Sequence, residues 1–434
     1  MFCYQCEMSA NGGCGSNGQS QGTCGKSEVL SRLQDTLIFG LKGISAYRTH
    51  ASEMNVNTEE VDDVVAESLY FTLTNVNFNF EEHIAQLMKL GGAGVKMMGQ
   101  LSEAHTDTLG IPTPVTVSQN KAEGKAILVS GHNLIMLKAL LEATEGKGIN
   151  IYTHSEMLPA HGYPELKKFS HLKGNIGKSW FDQKTLFEQW QGAIVVNTNC
   201  IQIPKKDSSY LDRLFTYGIA GVDGAKKIEG SDFSAVIEKT QSLPEVSGFE
   251  SNDTLTTGHH YKTILSLAPQ ILEAVQGGKI RKFFVIAGCD APGKAGNYFR
   301  ELAESLPNDV VILTSSCGKF RFNDIDFGNV PGTELPRYID LGQCNDSNGA
   351  VEIALALSKA LDTPVNDLPI QIVLSWMEQK AVIVLLALFS LGIKGIKVGP
   401  KPPQFFNDDI TSFLVDQFNL SLTSTVEEDL KTML

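Results

Sequence analysis

The sequence lacks an apolar run long enough to cross a bilayer. Its longest such run, AVIVLLALFSL at 381–391, is far shorter than the roughly 20 residues of a transmembrane helix and is typical of a buried helix. The N-terminus, MFCYQCEMS, has no basic region followed by an apolar stretch, so we expect no export signal. These absences predict a cytoplasmic protein with no membrane partner.

The sequence also lacks a basic stripe and several common catalytic signatures. A net charge of −13 disfavours nucleic acid as a partner, because phosphate contacts need clustered Lys and Arg. Neither a G-x4-G-K-[ST] loop, an H-E-x-x-H pair nor a G-x-S-x-G elbow occurs. The Gly-rich segment at 91–99 lies inside a helical pattern with no preceding strand. P-loop nucleotide hydrolases, zinc proteases of that type and elbow-type hydrolases are therefore not supported.

What the sequence does have is a dense group of cysteines near its start. Cys3, Cys6, Cys14 and Cys24 are spaced C-x2-C-x7-C-x9-C among Gly, Ser, Asn and Gln, which is loop composition. In a reducing compartment, grouped thiols more often bind metal or do redox chemistry than form disulfides. Four thiolates suit an iron–sulfur cluster or a tetrahedral zinc ion, and this stretch alone leaves both open.

The remaining chain divides into a helical part and an α/β part. Helical patterns at about 28–50, 58–74 and 80–105 predict a three-helix bundle. Beyond the link at 111–125, short apolar runs alternate with helical segments, which predicts buried parallel strands. These predicted strands are 126–130, 149–153, 193–197, 283–287, 310–314, 338–341, 371–375 and 395–399.

The fold class is thus α/β, and we predict three domains. Residues 1–120 would hold the cysteine loop and the helical bundle, 121–255 a first Rossmann-like domain and 256–434 a second. The polar segment near 225–258 marks the boundary between the two α/β domains.

The other four cysteines share a position rather than a motif. Cys200, Cys289, Cys317 and Cys344 each lie just past the carboxyl end of a predicted strand. Ligands of open α/β sheets bind at that edge, so side chains distant in sequence can meet there. Any one of these cysteines, taken alone, is better explained as a small buried hydrophobe. Four in the same topological place favour a ligand site.

His132, Glu156 and Glu378 follow predicted strands at the same edge. A lone histidine there is commonly a hydrogen-bonded turn residue, and a lone glutamate a charge at a helix N-terminus. Together with four thiolates, however, they would form a mixed site of sulfur, nitrogen and oxygen ligands. Such a ligand set indicates a cluster other than a plain iron–sulfur cube.

Across nearly its whole length the sequence resembles the hybrid-cluster (prismane) proteins, a family related to carbon monoxide dehydrogenases. The segments that carry the resemblance are FCYQCE, SGHNL, YTHSEMLPAHGYP, NTNC, AGCD, LTSSCGKFRFN, LGQCNDS and SWMEQKAV. The family implies an N-terminal three-helix bundle followed by two Rossmann-like parallel-sheet domains. With room for a single bundle, the chain is similar to the short form of the family. A neighbouring subunit could replace the missing bundle, which leaves homo-oligomerisation open.

The resemblance implies two clusters. The four N-terminal cysteines would hold a [4Fe-4S] cluster, with [2Fe-2S] as the alternative because the gap between Cys14 and Cys24 is longer than is usual in the family. A hybrid [4Fe-2O-2S] cluster would have ligands throughout the remaining chain, with Cys289 as a persulfide. Those ligands would be His132, Glu156, Cys200, Cys289, Cys317, Cys344 and Glu378.

The activity that the resemblance implies is reduction of hydroxylamine to ammonia and water. A redox partner protein would supply electrons through the N-terminal cluster, and Glu156, Glu378 and Lys380 would act in catalysis. His154 is a further proton-donor candidate. For both His154 and Lys380, a structural hydrogen bond or support of a neighbouring ligand is at least as well expected. The alternatives are reduction of nitric oxide to nitrous oxide, nitrosyl transfer to protein thiols in nitrosative-stress defence, and carbon monoxide dehydrogenase activity.

Overall fold

Helices and short strands alternate along most of the chain in the computed structural model, which describes residues 2–251 and 253–434. The α-helices are α1 (Glu28–Glu53), α2 (Glu59–Phe71), α3 (Phe80–Leu109), α4 (Leu134–Thr144), α5 (Pro164–Lys167), α6 (Gln183–Gln189), α7 (Ser234–Ser242), α8 (Tyr261–Ser266), α9 (Ala268–Gln276), α10 (Asn297–Ser305), α11 (Asn348–Leu361), α12 (Gln379–Ser390), α13 (Asp408–Phe418) and α14 (Val426–Met433).

The strands are short, and most follow the apolar runs of the sequence. They are β1 (Val115–Ser118), β2 (Lys125–Ser130), β3 (Ile149–His154), β4 (Leu172–Asn175), β5 (Ala193–Val196), β6 (Leu214–Tyr217), β7 (Lys226–Ile228), β8 (Thr254–Thr257), β9 (Lys282–Gly288), β10 (Val310–Thr314), β11 (Tyr338–Asp340), β12 (Ile370–Ser375), β13 (Lys397–Gly399) and β14 (Ser421–Leu422). Each predicted strand is present within a few residues of its expected bounds. Among the described residues, none of the helices combines the length and the apolar character that a membrane span requires.

The chain forms two compact units. The smaller unit joins residues 1–104 to residues 363–434, and the larger unit comprises residues 105–362. The three-domain division made from the sequence stays a prediction, and one residue of its boundary segment, Asn252, lies outside the described residues.

In the smaller unit, the apolar run at 381–391 forms most of α12. Nearly every side chain of this helix is buried. Ile383 and Leu386 lie against glycines of α1 and α3, where a Cβ atom would collide with them or with the α12 backbone. Gly43 faces α12 from α1, and Gly91 faces it from α3. Because these positions carry no side chain, the helix backbones approach closely, and the predicted buried helix is confirmed.

The first parallel sheet, in the larger unit, has the strand order of a Rossmann fold. Its six strands run β4-β3-β2-β5-β6-β7, and all neighbours are parallel. The order reverses between β2 and β5, and the carboxyl ends of strands at such a point border a ligand-binding crevice. Ile127 and Val129 face one apolar core, whereas Ala126 and Leu128 face another. Both faces are therefore buried, which explains the uninterrupted apolar run of β2.

Further parallel strands lie in both units. In the larger unit β10 pairs with β9 and with β11. In the smaller unit β13 pairs with β12 and with β14. A separate antiparallel pair, β1 with β8, completes the strands of the larger unit. All of the predicted ligand residues of the α/β part except Glu378 follow strands of the larger unit.

The close approach of α3 and α12 gives a test of the packing in the smaller unit. Gly91→Ala should destabilise the protein by about 1–3 kcal/mol, because the added methyl group has no room beside the backbone of Leu386. Gly92→Ala is the matched control, since its Cβ would meet nothing within 4 Å. It should stabilise α3 by up to about 1 kcal/mol through helix propensity. Urea unfolding of both variants measures the difference, and equal effects would contradict the packing described.

Candidate metal centre

The candidate ligands of the larger unit lie in turns that use left-handed backbone conformations. The residues with positive φ are Gly131 (137°), Ser155 (56°), Cys200 (67°), Gly288 (105°), Ser316 (68°) and Gly342 (129°). All but two of them immediately precede a predicted ligand; Cys200 is itself one, and Gly342 comes shortly before Cys344. For Ser155 and Ser316 this conformation costs about 1–3 kcal/mol each, and such strain concentrates at functional sites. The turns are thus shaped to present the side chains that follow them.

Three predicted ligands converge in one buried place. One ligand atom from each of His132, Glu156 and Cys344 lies within 4.8 Å of the other two. The three residues follow β2, β3 and β11, and all are buried. An imidazole, a carboxylate and a thiol at this separation can bind one metal centre.

Hydrogen bonds from Gln343 and Cys344 fasten these turns together. The side-chain amide of Gln343 donates to the carbonyl oxygens of His132, at 3.0 Å, and Glu156, at 2.7 Å. The backbone N–H of Cys344 donates to Glu156 Oε2 at 2.8 Å. The turn after β11 therefore fixes the positions of the turns after β2 and β3.

The orientation of His132 depends on the segment that leads to Cys200. His132 Nδ1 lies 2.7 Å from Thr198 Oγ1, and the backbone N–H of His132 donates to Asn197 Oδ1 at 3.0 Å. Metal-binding histidines commonly use one ring nitrogen for such an outer hydrogen bond. With Nδ1 so engaged, we expect Nε2 to be the nitrogen that would bind a metal. The sequence reasoning missed Asn197 and Thr198, whose only signal is their place directly after a buried strand.

The other three cysteines of the larger unit are Cys200, Cys289 and Cys317, and Cys317 interacts electrostatically with Glu156 and with the other two. Burial raises the pKa of the Cys317 thiol well above its ordinary value, and the charges of Glu156, Cys200 and Cys289 raise it further. Ser155 Oγ lies 3.4 Å from Cys317 Sγ, and this hydrogen bond has the opposite effect. Several groups that become anionic when they bind metal thus lie near one another; Glu156 and Cys317 are buried, and Cys200 and Cys289 are half-buried. A multinuclear metal centre would compensate this charge, so the residues fit such a group.

A fully buried ion pair supports the turns of Cys317 and Cys344. Lys319 Nζ donates to Asp340 Oδ1 at 2.8 Å and to the carbonyl oxygen of Gly342 at 2.7 Å. Burial lowers the pKa of Lys319, but the charges of Asp340 and Glu156 outweigh this effect and raise it above its ordinary value. Lys319 therefore remains a cation and joins the turn after β10 to the turn after β11.

The four N-terminal cysteines, which are close in the sequence, lie in the smaller unit. Cys3 and Cys14 are buried and lie opposite each other in an antiparallel bridge, in which Cys14 N–H donates to the Cys3 carbonyl at 2.7 Å. Cys6 and Cys24 are exposed, and none of the cysteines is in a disulfide. A Cβ on Gly22 would lie 3.5 Å from Cys14 Sγ, so the segment leading to Cys24 packs beside Cys14.

Glu378 and Lys380 belong to the smaller unit. Glu378 is the N-cap residue of α12; burial raises the pKa of its carboxyl, and Lys380 lowers it. Lys380 is itself buried, and its Nζ lies 5.5 Å from the centre of the Tyr47 ring. The ligand role of Glu378 and the catalytic role of both residues stay predictions.

Taken together, the Rossmann strand order and the buried mixed-ligand site are those of an α/β protein that could hold a metal centre. The family model described as "Prismane/CO dehydrogenase family" matches residues 1–87 and 59–431 of the chain. A hydroxylamine reductase of Moorella thermoacetica is 48% identical over 435 residues, which cover 100% of both chains. The chain therefore belongs to the Prismane/CO dehydrogenase family.

A longer relative shows the length variation of this family, and a solved structure shares the fold of the chain. A hydroxylamine reductase of Geobacter metallireducens is 46% identical over 400 residues, which cover 92% of this chain and 72% of the longer relative. A carbon monoxide dehydrogenase of Thermococcus sp. AM4 superimposes with a TM-score of 0.78 at 16% identity, covering 99% of this chain and 89% of its own. The predicted fold class is confirmed, and family membership makes the chain an iron–sulfur oxidoreductase.

The hydrogen bonds of Gln343 can be tested apart from catalysis. Gln343→Ala removes the donor to two buried carbonyl oxygens, so we expect a loss of about 1–3 kcal/mol in stability and a lower iron content. Gln371→Ala is the matched control, because its amide also donates to two carbonyl oxygens but belongs to the smaller unit. It should lose stability without losing iron. Equal iron contents in both variants would show that Gln343 does not organise the site.

Proposed function

We propose that the chain is a hydroxylamine reductase whose reaction takes place at the site of His132, Glu156 and Cys344. The observation that carries this proposal is the convergence of an imidazole, a carboxylate and a thiol in a buried place, with further thiols acting on it electrostatically. Relatives named hydroxylamine reductase that align with the whole chain at 48% identity support it.

The proposal includes two clusters. Cys3, Cys6, Cys14 and Cys24 would hold a [4Fe-4S] cluster, with [2Fe-2S] as the alternative. The second would be a hybrid [4Fe-2O-2S] cluster, with Cys289 as a persulfide. Its ligands would be His132, Glu156, Cys200, Cys289, Cys317, Cys344 and Glu378. The absence of disulfides among the described cysteines supports their use as ligands.

The reaction consumes two electrons and two protons: hydroxylamine is cleaved at its N–O bond and leaves as ammonia and water. When bound, a hybrid cluster supplies the electrons and a Lewis-acid iron that polarises the N–O bond. The protein residues hold the candidate ligands in place. Thr198 and Asn197 orient the His132 ring, and Gln343 holds the Glu156 turn. Because these bonds exist before substrate arrives, little reorganisation is needed during the reaction.

The proton donors of the proposal are Glu156, Glu378 and Lys380. Glu156 is almost fully buried and accepts a hydrogen bond from Cys344 N–H at Oε2, so this carboxylate is held directly at the site. His154 is engaged on both ring nitrogens, at 2.9 Å from Ser130 Oγ and 2.8 Å from Asp182 Oδ1. Those two bonds are typical of a structural histidine and favour that role for His154.

Electrons would enter through the N-terminal cysteine loop. Cys6 and Cys24 are exposed, which suits a cluster that exchanges single electrons with a redox partner protein. Since Cys3 and Cys14 are buried, such a cluster would have one side against the protein and one side toward the partner.

His132→Ala gives a direct test of the proposed site. With chemically reduced viologen under anaerobic conditions, the wild type should form one ammonia for each hydroxylamine consumed. His132→Ala should lose at least about 100-fold in this rate together with part of the bound iron, because removing even an outer-shell group commonly costs 10–100-fold.

His171→Ala is the matched control. The His171 ring hydrogen-bonds to Thr144 and to the Leu141 carbonyl and lies outside the site, so its rate and iron content should match those of the wild type. Full activity and iron in His132→Ala would refute the proposal. Turnover of nitric oxide to nitrous oxide without ammonia formation would favour the alternative reductase.

A further inference from the structure

Lys26 is a buried lysine next to the N-terminal cysteines. It is 1% exposed, and its Nζ donates to Gln5 Oε1 at 3.0 Å, to Gln34 Oε1 at 2.5 Å and to Cys3 Sγ at 3.9 Å. Three acceptors use all three N–H groups of an ammonium, whereas a neutral amine offers only two. The surroundings therefore suit a charged side chain, although each oxygen that accepts from it is neutral.

The charge of Lys26 has no carboxylate partner among residues 2–251 and 253–434. Two other buried lysines, by contrast, are paired with a carboxylate. Lys319 lies 2.8 Å from Asp340, and Lys397 lies 2.9 Å from Asp429. A buried ammonium is costly unless an anion compensates it. The position beside Cys3 Sγ indicates where the compensating anion would be.

The nearest acidic residue along this network is separated from Lys26 by an amide. Gln5 accepts from Lys26 and donates through Nε2 to Asp35 Oδ1 at 2.9 Å. Asp35 also lies 4.0 Å from Arg32 Nη1, and Arg32 is paired with Glu28 at 3.4 Å. Asp35 therefore acts on Lys26 only from a distance, and none of the carboxylates of residues 2–251 and 253–434 contacts the ammonium.

The amides also fix the ammonium relative to the cysteine loop. Gln5 lies between Cys3 and Cys6, and Gln34 lies on α1, where its Nε2 donates to the carbonyl oxygen of Leu73 at 3.5 Å. Lys26 is therefore held from two sides and cannot turn toward solvent without losing all its partners. Its charge is a fixed feature of the loop.

We propose that Lys26 is the internal counter-ion of the metal centre held by Cys3, Cys6, Cys14 and Cys24, and that it raises the reduction potential of that centre. The inference rests on the proposed function, because it assumes a redox cluster at these cysteines. One-electron reduction by a donor protein adds one negative charge to the centre, while the donor is oxidised by one electron. A fixed cation stabilises the more negative state, so it favours reduction.

The test is a redox titration of the full-length protein, purified anaerobically, with electron paramagnetic resonance detecting the N-terminal cluster. Lys26→Met should shift the reduction equilibrium at least tenfold toward the oxidised form, about 59 mV for one electron. Lys26→Arg keeps the charge and should stay near the wild type. Lys42→Met, an exposed lysine of α1, is the control for loss of one charge and should also stay near the wild type because solvent screens it.

Stability measurements separate a counter-ion from a structural lysine. Without metal, Lys26→Met should unfold at a temperature equal to or above that of the wild type, because a buried charge is gone. With metal, the same variant should release iron faster. A lysine that is only structural predicts lower stability in both states and an unchanged potential, and that result would overturn the proposal.

A second variant covers the case in which Lys26→Met does not fold. Gln5→Glu puts a carboxylate beside the unchanged lysine and should lower the potential in the same direction. Unchanged potentials in both variants, with the cluster present, would refute the role of Lys26 and leave the proposed reductase intact. A wild-type protein without a reducible centre at these cysteines would refute both.

Discussion

The constraint on which the larger unit depends is that parallel strands place all their carboxyl ends at one edge. Residues that follow β2, β3 and β11 meet there although the chain separates them widely; Glu156 and Cys344, for example, are 188 residues apart. Such a site needs bonds that join one turn to another. Gln343 supplies those bonds for the His132 and Glu156 turns, and Lys319 supplies them for the turns after β10 and β11.

The same constraint explains how far the fold could be predicted from the sequence. Strands buried on both faces are uninterrupted apolar runs, so β2, β5, β9 and β10 were recognisable from sequence. The strands β1, β4, β6, β7, β8 and β14 were missed, because each has at most four residues and includes polar ones that interrupt the apolar pattern. β7 and β14 are also largely exposed and pair at the end of a series of strands. The buried character of α12 was evident, but its fit against glycines of α1 and α3 depends on contacts far apart in the chain.

In the site, the candidate ligands were easier to predict from the sequence than the residues that hold them in place by hydrogen bonds. His132, Glu156 and Cys344 were identifiable from their place after strands, and the structure brings them together. Polar turn residues such as Gln343 and Thr198 are common in all loops, so nothing in sequence distinguishes those that hold a ligand. The left-handed conformations of Ser155 and Ser316 had no signal either, since serine rarely adopts them. The sequence also offered no means of choosing the chemical type of a bound cluster, because that type depends on the inorganic atoms and not only on the residues that hold them.

The positions of the two cysteine groups in the chain have a consequence for biosynthesis. The N-terminal cysteines lie between positions 3 and 24, and bonds between residues close in the chain join their loop. The centre in the larger unit cannot exist until β11 has been made and has joined the strands before it. A metal held by His132, Glu156 and Cys344 would therefore bind only after these distant strands have paired.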